Sequence, residues 1–129
     1  MPYKDIIPTK PNIEDLMTQI KKYYRQEDTD MVQLAYEFAA KAHSGQFRQS
    51  GEPYIIHPVA TAMILARMRI DPNIIVAALL HDVPEDTAVT IEEIEKNFGP
   101  DIAGMIRRIT KLGKLKYRGV ERYIENLRK

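Results

Sequence analysis

The sequence predicts an all-α fold, and three observations carry that reading. Apolar residues recur at three- and four-residue spacing along most of the chain. Capping residues, prolines and glycines punctuate those segments at helix-like intervals. No run of alternating apolar residues reads as a strand, and no internal repeat is present.

Residues 1–11 carry Pro2, Pro8 and Pro11 and read as an extended lead-in. Asn12 can cap a helix from Ile13 to about Tyr24, with Ile13, Leu16, Met17 and Ile20 on one face. The polar stretch Gln26-Glu27-Asp28-Thr29 reads as a break. Thr29 or Asp30 then caps a second helix from Met31 to about His43, with Leu34, Ala35, Phe38, Ala39 and Ala42 as its apolar stripe. "SGQFRQSGEP", Ser44 to Pro53, is a loop rich in glycine and proline.

Pro58 suits the first turn of a third helix, which runs to about Met68. Asp71-Pro72 reads as a cap and first helical residue. The helix that follows, Asn73 to about Asp82, is apolar on nearly every side and should be central; Pro84 limits its continuation. Thr90 with Glu93 forms a capping-box pattern, and Gly99-Pro100 ends that short helix. Another helix covers about Asp101 to Thr110. "KLGKLKYRG" is a basic loop, and a last helix begins at Val120, with Tyr123, Ile124 and Leu127 on its apolar side.

The bulk numbers narrow the function classes. At 129 residues the chain is long enough for one domain with a real core. A net charge of +1 argues neither for nucleic-acid binding by this domain nor for acidic disorder. With no cysteine, disulfides and thiolate metal sites are excluded. There is no signal-peptide pattern at the N-terminus and no apolar run of the ~20 residues that span a bilayer. The expectation is a soluble cytoplasmic protein with no membrane partner.

Chemistry concentrates in "LLHDVPEDT", Leu79 to Thr87. His81, Asp82, Glu85 and Asp86 follow directly on the apolar run Ile74 to Leu80, where ionisable groups are costly unless paired or metal-bound. Imidazole with carboxylate suits zinc, manganese or iron, and added oxygen donors shift the preference toward manganese or magnesium. A His-Asp dipeptide can equally be a helix-terminal histidine beside a solvated aspartate. His57, fixed before Pro58 at a helix entrance, is a second candidate ligand; alone it reads as a structural histidine. His43, near a helix C-terminus, is read as structural, capping free carbonyls. Glu85 and Asp86 could take or orient the proton of an activated water, or could be a solvated acidic turn. Arg48, Lys111, Lys114, Lys116 and Arg118 could meet phosphates; ordinary surface charge is the plainer reading of most.

The segments "AHSGQFRQSGEPYIIHP" (42–58), "ALLHDVPEDT" (78–87) and "ITKLGKLKYRG" (109–119) closely resemble the N-terminal HD domain of RelA/SpoT homologues, the enzymes that make and degrade the alarmones ppGpp and pppGpp. The resemblance runs from about Ile13 to Lys129. It implies an α-helical HD-domain bundle that hydrolyses the 3′-pyrophosphate of the alarmone with Mn2+. It also implies His57, His81 and Asp82 as metal ligands and Glu85 with Asp86 as the water-activating pair. Arg48 matches the position that packs on guanine, and Ser50 is a substrate neighbour. Lys111 and Lys114, in the basic loop, would neutralise phosphate. Gln49 stands where the family commonly has lysine, and Pro84 where it commonly has an apolar residue.

A fourth ligand, an aspartate in an "ADRLHN"-like segment, has no match in this sequence. The expectation is therefore that residues 12–129 are the N-terminal part of an HD domain, in a longer enzyme with a downstream synthetase domain. The chain by itself should then be inactive or weakly active, hold its metal weakly or not at all, and be prone to self-associate. The alternative is a degenerate, nucleotide-binding HD domain that regulates a neighbouring synthetase. A generic HD nucleotidase is a third reading, disfavoured by the stretch before His57.

Overall fold

A computed structural model describes residues 12–111. The lead-in, Lys114, the rest of the basic loop and the last helix expected from the sequence lie outside the described residues. Within them the fold is all-α. The helices are α1 (Ile13–Tyr23), α2 (Gln26–Ala42), α3 (Ile56–Arg67), α4 (Pro72–Leu80), α5 (Val83–Asp86) and α6 (Ile91–Phe98), followed by α7 over residues 100–111.

The expected caps at Asn12, Asp71 and Thr90 are in place; the one expected at Thr29 or Asp30 is not, because α2 begins at Gln26 with Arg25 as its N-cap and no side-chain cap bond. Asn12 and Asp15 exchange side-chain and backbone hydrogen bonds, closing a capping box on α1. Asp71 accepts from the Asn73 amide at the start of α4, and Thr90 accepts from the Glu93 amide at the start of α6. Gly99, at φ 95°, stops α6 in a conformation that other residues rarely adopt.

The run Gln26–Thr29, expected to be a break, is instead the first turn of α2. Its acids, Glu27 and Asp28, sit at the positive end of the helix dipole, and the buried Thr29 bonds back to the Arg25 carbonyl. Polarity marked solvent exposure there, not a loop. Leu34, expected on the apolar stripe of α2, is exposed.

The core forms around α4. Ile75, Val76, Ala77, Ala78, Leu79 and Leu80 are all buried, and α4 packs against α2 and α3, while α1 packs on α2 and α3. Ile94 of α6 with Ile102 and Ile106 of α7 completes the same apolar cluster. Phe38 and Phe98 meet edge to face at 5.4 Å and join α2 to α6.

Two departures position the site. Helix α4 ends at Leu80 rather than Asp82, so His81 is its C-cap and Asp82 begins the next turn. Pro84 then sits in the first turn of α5, where a missing amide hydrogen costs nothing. The proline therefore starts the turn that carries Glu85 and Asp86. Between α2 and α3 the glycine-rich loop folds back as a small hairpin: Phe47 bridges Pro53, the Tyr54 amide donates to the Gln46 carbonyl at 2.9 Å, and Arg48 pairs with Glu52 through the backbone.

Candidate metal and substrate site

The end of α4 delivers the first pair of side chains. His81 Nδ1 lies 2.8 Å from the Ala78 carbonyl, so Nδ1 carries the hydrogen and donates it, leaving Nε2 to face outward. Nε2 stands 3.1 Å from Asp82 Oδ1. Both side chains are largely shielded by the bundle. The Asp82 carboxyl is held below the usual carboxylate range, first by its hydrogen bond with His81, against the opposing effect of burial; Tyr54 and the His57 charge push the same way. His81 is correspondingly raised, chiefly by the same bond to Asp82 and against burial.

The hairpin delivers Tyr54. Its hydroxyl reaches Asp82 Oδ2 at 2.7 Å and Asp86 Oδ2 at 3.1 Å. Asp82 and Asp86 are one helical turn apart, their backbones joined by the Asp86 amide to the Asp82 carbonyl, so one phenol meets both. Burial, followed by these two carboxylates, raises the Tyr54 pKa far above its ordinary value, and the phenol stays a donor. The neighbouring Gln46 donates from Nε2 to the Asp86 carbonyl, and its Oε1 lies 3.0 Å from His43 Nδ1.

His43 is buried at the C-terminus of α2, but its side chain meets Gln46 rather than capping free carbonyls as expected; its ring lies 4.6 Å from that of Tyr54 and its Nε2 has no hydrogen-bond partner. Sequence reasoning passed over Tyr54 and Gln46. The available signal was that both belong to the short stretch between two histidines that already carried the strongest family resemblance.

His57 stands at the start of α3 on the same side, its ring 6.3 Å from that of Tyr54 and its charge felt by Asp82. Arg48 approaches His57 Nδ1 at 3.4 Å, a weak contact. Two ligands about 2.0–2.2 Å from one ion and at right angles stand about 3 Å apart, which is the separation of His81 Nε2 and Asp82 Oδ1. It is equally the separation of a hydrogen-bonded ion pair, which is what the two side chains form here. Among the described residues no group of three histidine, aspartate and glutamate side chains is close enough to hold an ion, and His57 is not brought together with His81 and Asp82.

The two acids of α5 part company. Asp86 turns to Tyr54 and Gln46, whereas Glu85 lines a depression of about 380 Å³ with Pro84, Ile91, Ile106, Arg107 and Lys111. Lys111 belongs to the end of α7 and shares that depression with Glu85. Arg48, Gln49 and Ser50 line a second depression of about 550 Å³ together with Phe47 and Tyr54. Tyr54 thus borders both the acidic cluster and the open groove beside the hairpin.

The HD domain family matches residues 35–129. The chain is 46% identical over 117 residues to the bifunctional (p)ppGpp synthase/hydrolase SpoT of Escherichia coli (strain K12), covering 90% of this chain and 17% of that protein. It is 43% identical over 118 residues to the guanosine-3′,5′-bis(diphosphate) 3′-pyrophosphohydrolase of Aquifex aeolicus (strain VF5), covering 92% and 16%. It is also 40% identical over 114 residues to the GTP pyrophosphokinase of Myxococcus xanthus, covering 85% and 15%. The chain thus spans about a sixth of the length of these relatives. HD hydrolase domains depend on divalent metal. No helix among the described residues is long and apolar enough to cross a membrane.

Proposed function

This chain belongs to the HD domain family, as the HD domain of a RelA/SpoT homologue, and from that premise we propose that it serves as the hydrolase domain of a (p)ppGpp 3′-pyrophosphohydrolase. The observation that carries the reading is the His81–Asp82 pair at the end of the core helix, bonded through Tyr54 to Asp86. In this reading His57, His81 and Asp82 hold the ion, which is Mn2+. A divalent ion held there supplies Lewis acidity toward water and offsets phosphate charge.

The chain's own residues do the rest. His81 presents Nε2 because Ala78 occupies Nδ1. Asp86, within hydrogen-bond reach of Tyr54, accepts the proton of the attacking water, and the adjacent Glu85 shares in its transfer to the departing ribose 3′ oxygen. Water adds to the phosphorus joined to the ribose 3′ oxygen, the bond to that oxygen breaks, and the products are pyrophosphate and GDP or GTP. Arg48 and Ser50 border the groove beside the hairpin, where a planar guanidinium can stack on guanine. Lys111, and Lys114 beyond it, neutralise phosphate charge.

We place the domain at residues 12–129, in the cytoplasm, beside a synthetase domain of the same protein. Self-association of the 129-residue chain is part of the same reading.

A second reading is favoured by the absence of a three-ligand group among the described residues: an HD domain that binds nucleotide and regulates a neighbouring synthetase. One experiment separates the two. Purified protein is incubated with ppGpp, pppGpp and GTP, with and without Mn2+, and pyrophosphate release is measured beside His81→Ala and Asp82→Asn. Mn2+-dependent release from the alarmones alone, lost in both variants, is expected. Alarmone binding without release would leave the regulatory reading.

A further inference from the structure

We infer that Gln46 is a positioning residue: its side-chain amide clamps the hairpin to the turn α5, so that Arg48 and Ser50 keep a fixed place relative to Asp86. The inference rests on the reading of the groove beside the hairpin as the seat of the nucleotide.

Every polar group of Gln46 is used, and the partners belong to three different parts of the fold. Its main-chain amide donates to the His43 carbonyl at the end of α2, and its main-chain carbonyl accepts from the Tyr54 amide across the hairpin, both at 2.9 Å. Its side-chain Nε2 donates to the Asp86 main-chain carbonyl at 2.6 Å, and its Oε1 lies 3.0 Å from His43 Nδ1. Gln46 is half-buried, and its bond to Asp86 joins positions 40 residues apart.

The orientation of the side-chain amide follows from its partners. A main-chain carbonyl only accepts, so the amide nitrogen must face Asp86 and Oε1 then faces His43. Oε1 only accepts in turn, so His43 carries its hydrogen on Nδ1. His43 is 2% exposed, and its Nε2 has no partner to which a hydrogen could be given. The buried imidazole, stacked against the Tyr54 ring, thus fixes Gln46 from one side while Asp86 receives it on the other.

Helix α5 requires such a partner. It is a single turn, Val83–Asp86, tied by the Asp86 amide to the Asp82 carbonyl and the Thr87 amide to the Val83 carbonyl. One turn is far below the length at which a helix holds itself in water, and the last carbonyls of any helix find no amide within it. Gln46 takes the carbonyl of Asp86, the residue whose carboxylate meets Tyr54. Arg48 and Ser50 line the groove from the same hairpin, which is closed by the Arg48 amide on the Glu52 carbonyl. Fastened to α5, the hairpin carries the nucleotide contacts and the acid as one body. Unfastened, the two move separately, and a misplacement of about 1 Å is enough to lower a rate about 100-fold. A glutamine that only steadied the fold would leave the response of α5 to nucleotide unchanged, and the test turns on that difference.

The isotope-labelled chain is titrated with ppGpp, once with Mg2+ and once in chelator, and amide resonances are followed in wild type and Gln46→Met. Methionine keeps the length of the side chain and removes both polar ends. In wild type, shifts are expected at residues 47–50 and also at Asp86 and Thr87. In Gln46→Met the hairpin shifts should remain and those of Asp86 and Thr87 should be lost. An α5 response that persists in Gln46→Met, or a wild-type hairpin response that never reaches α5, would overturn the clamp and leave the groove reading standing. Wild-type hairpin amides that ppGpp leaves unshifted in both conditions would remove the groove reading and this inference with it. Two measurements on the wild-type chain do not depend on how the variant folds. The Gln46 side-chain amide should show an Overhauser contact to the Thr87 amide, and the ring nitrogens of His43 should show a hydrogen on Nδ1 and none on Nε2. Absence of that contact, or a hydrogen on Nε2 in place of Nδ1, would overturn the clamp.

Discussion

His81 and Asp82 perturb each other in opposite directions, and the sign of each shift fixes a pH window. The His81 pKa is raised above its ordinary 6.5, so the stability it contributes is complete below that value and is lost as pH climbs through the folded-state pKa. The Asp82 pKa is lowered below its ordinary 3.8, so its contribution is present above that value and is lost as pH falls through the folded-state pKa. In metal-free protein the pair therefore stabilises the fold most between these limits. Melting temperatures of wild type and His81→Gln, measured in chelator from about pH 4 to about pH 9, should differ most near pH 5–6 and converge on the alkaline side. An advantage for wild type that grows with rising pH would rule out a charged pair. Metal and proton compete for the same imidazole nitrogen, so the acid side that favours the pair opposes the ion.

At the scale of elements, α4 links core to chemistry: Ile75, Leu79 and Leu80 are fully buried, and the next two residues are the proposed ligands. Truncating Ile75 to alanine leaves a cavity that neighbouring helices only partly fill, and should cost about 2–5 kcal/mol in urea unfolding. A loss below about 0.5 kcal/mol, the scale of an ordinary surface substitution, would place α4 outside the core. The central position of α4 was legible because its sequence leaves no polar face. The caps at Asn12, Asp71 and Thr90 were legible because each is a local contract between neighbouring residues. The start of α2 was misread for a reason of scale: four polar residues look like a break in sequence, yet they form a first turn that exposes Gln26 and Glu27 and buries Thr29. The hairpin over residues 46–54 was read only as a loop. Its pairing is short, and its function-bearing contacts join Tyr54 to Asp82 and Gln46 to Asp86, separations of 28 and 40 residues that periodicity cannot report. The histidines and acids were legible as a group because their types are chemically costly in that setting; which of them touch was a matter of tertiary geometry.

At the scale of the whole molecule, the proposed ligands close the helix around which the bundle is built, so metal binding and folding should be coupled. An ion that binds the folded chain and not the unfolded one adds about 2.7 kcal/mol at a concentration one hundred times its dissociation constant. For a chain of this size that corresponds to a rise in melting temperature of about 8–15 °C. The rise should follow Mn2+ concentration, reverse with chelator, and be absent in Asp82→Asn, whose metal-free melting temperature sets the baseline. It should also shrink as pH falls through the folded-state pKa of His81, which lies above its ordinary 6.5, because the proton competes with the ion there. A melting temperature indifferent to Mn2+ at every pH would mean that His81 and Asp82 form a salt-bridged structural pair in this chain. The nucleotide-binding, regulatory reading would then account for the cluster of His81, Asp82 and Asp86 without catalysis. A rise that survives Asp82→Asn would place the ion elsewhere and detach it from the core helix.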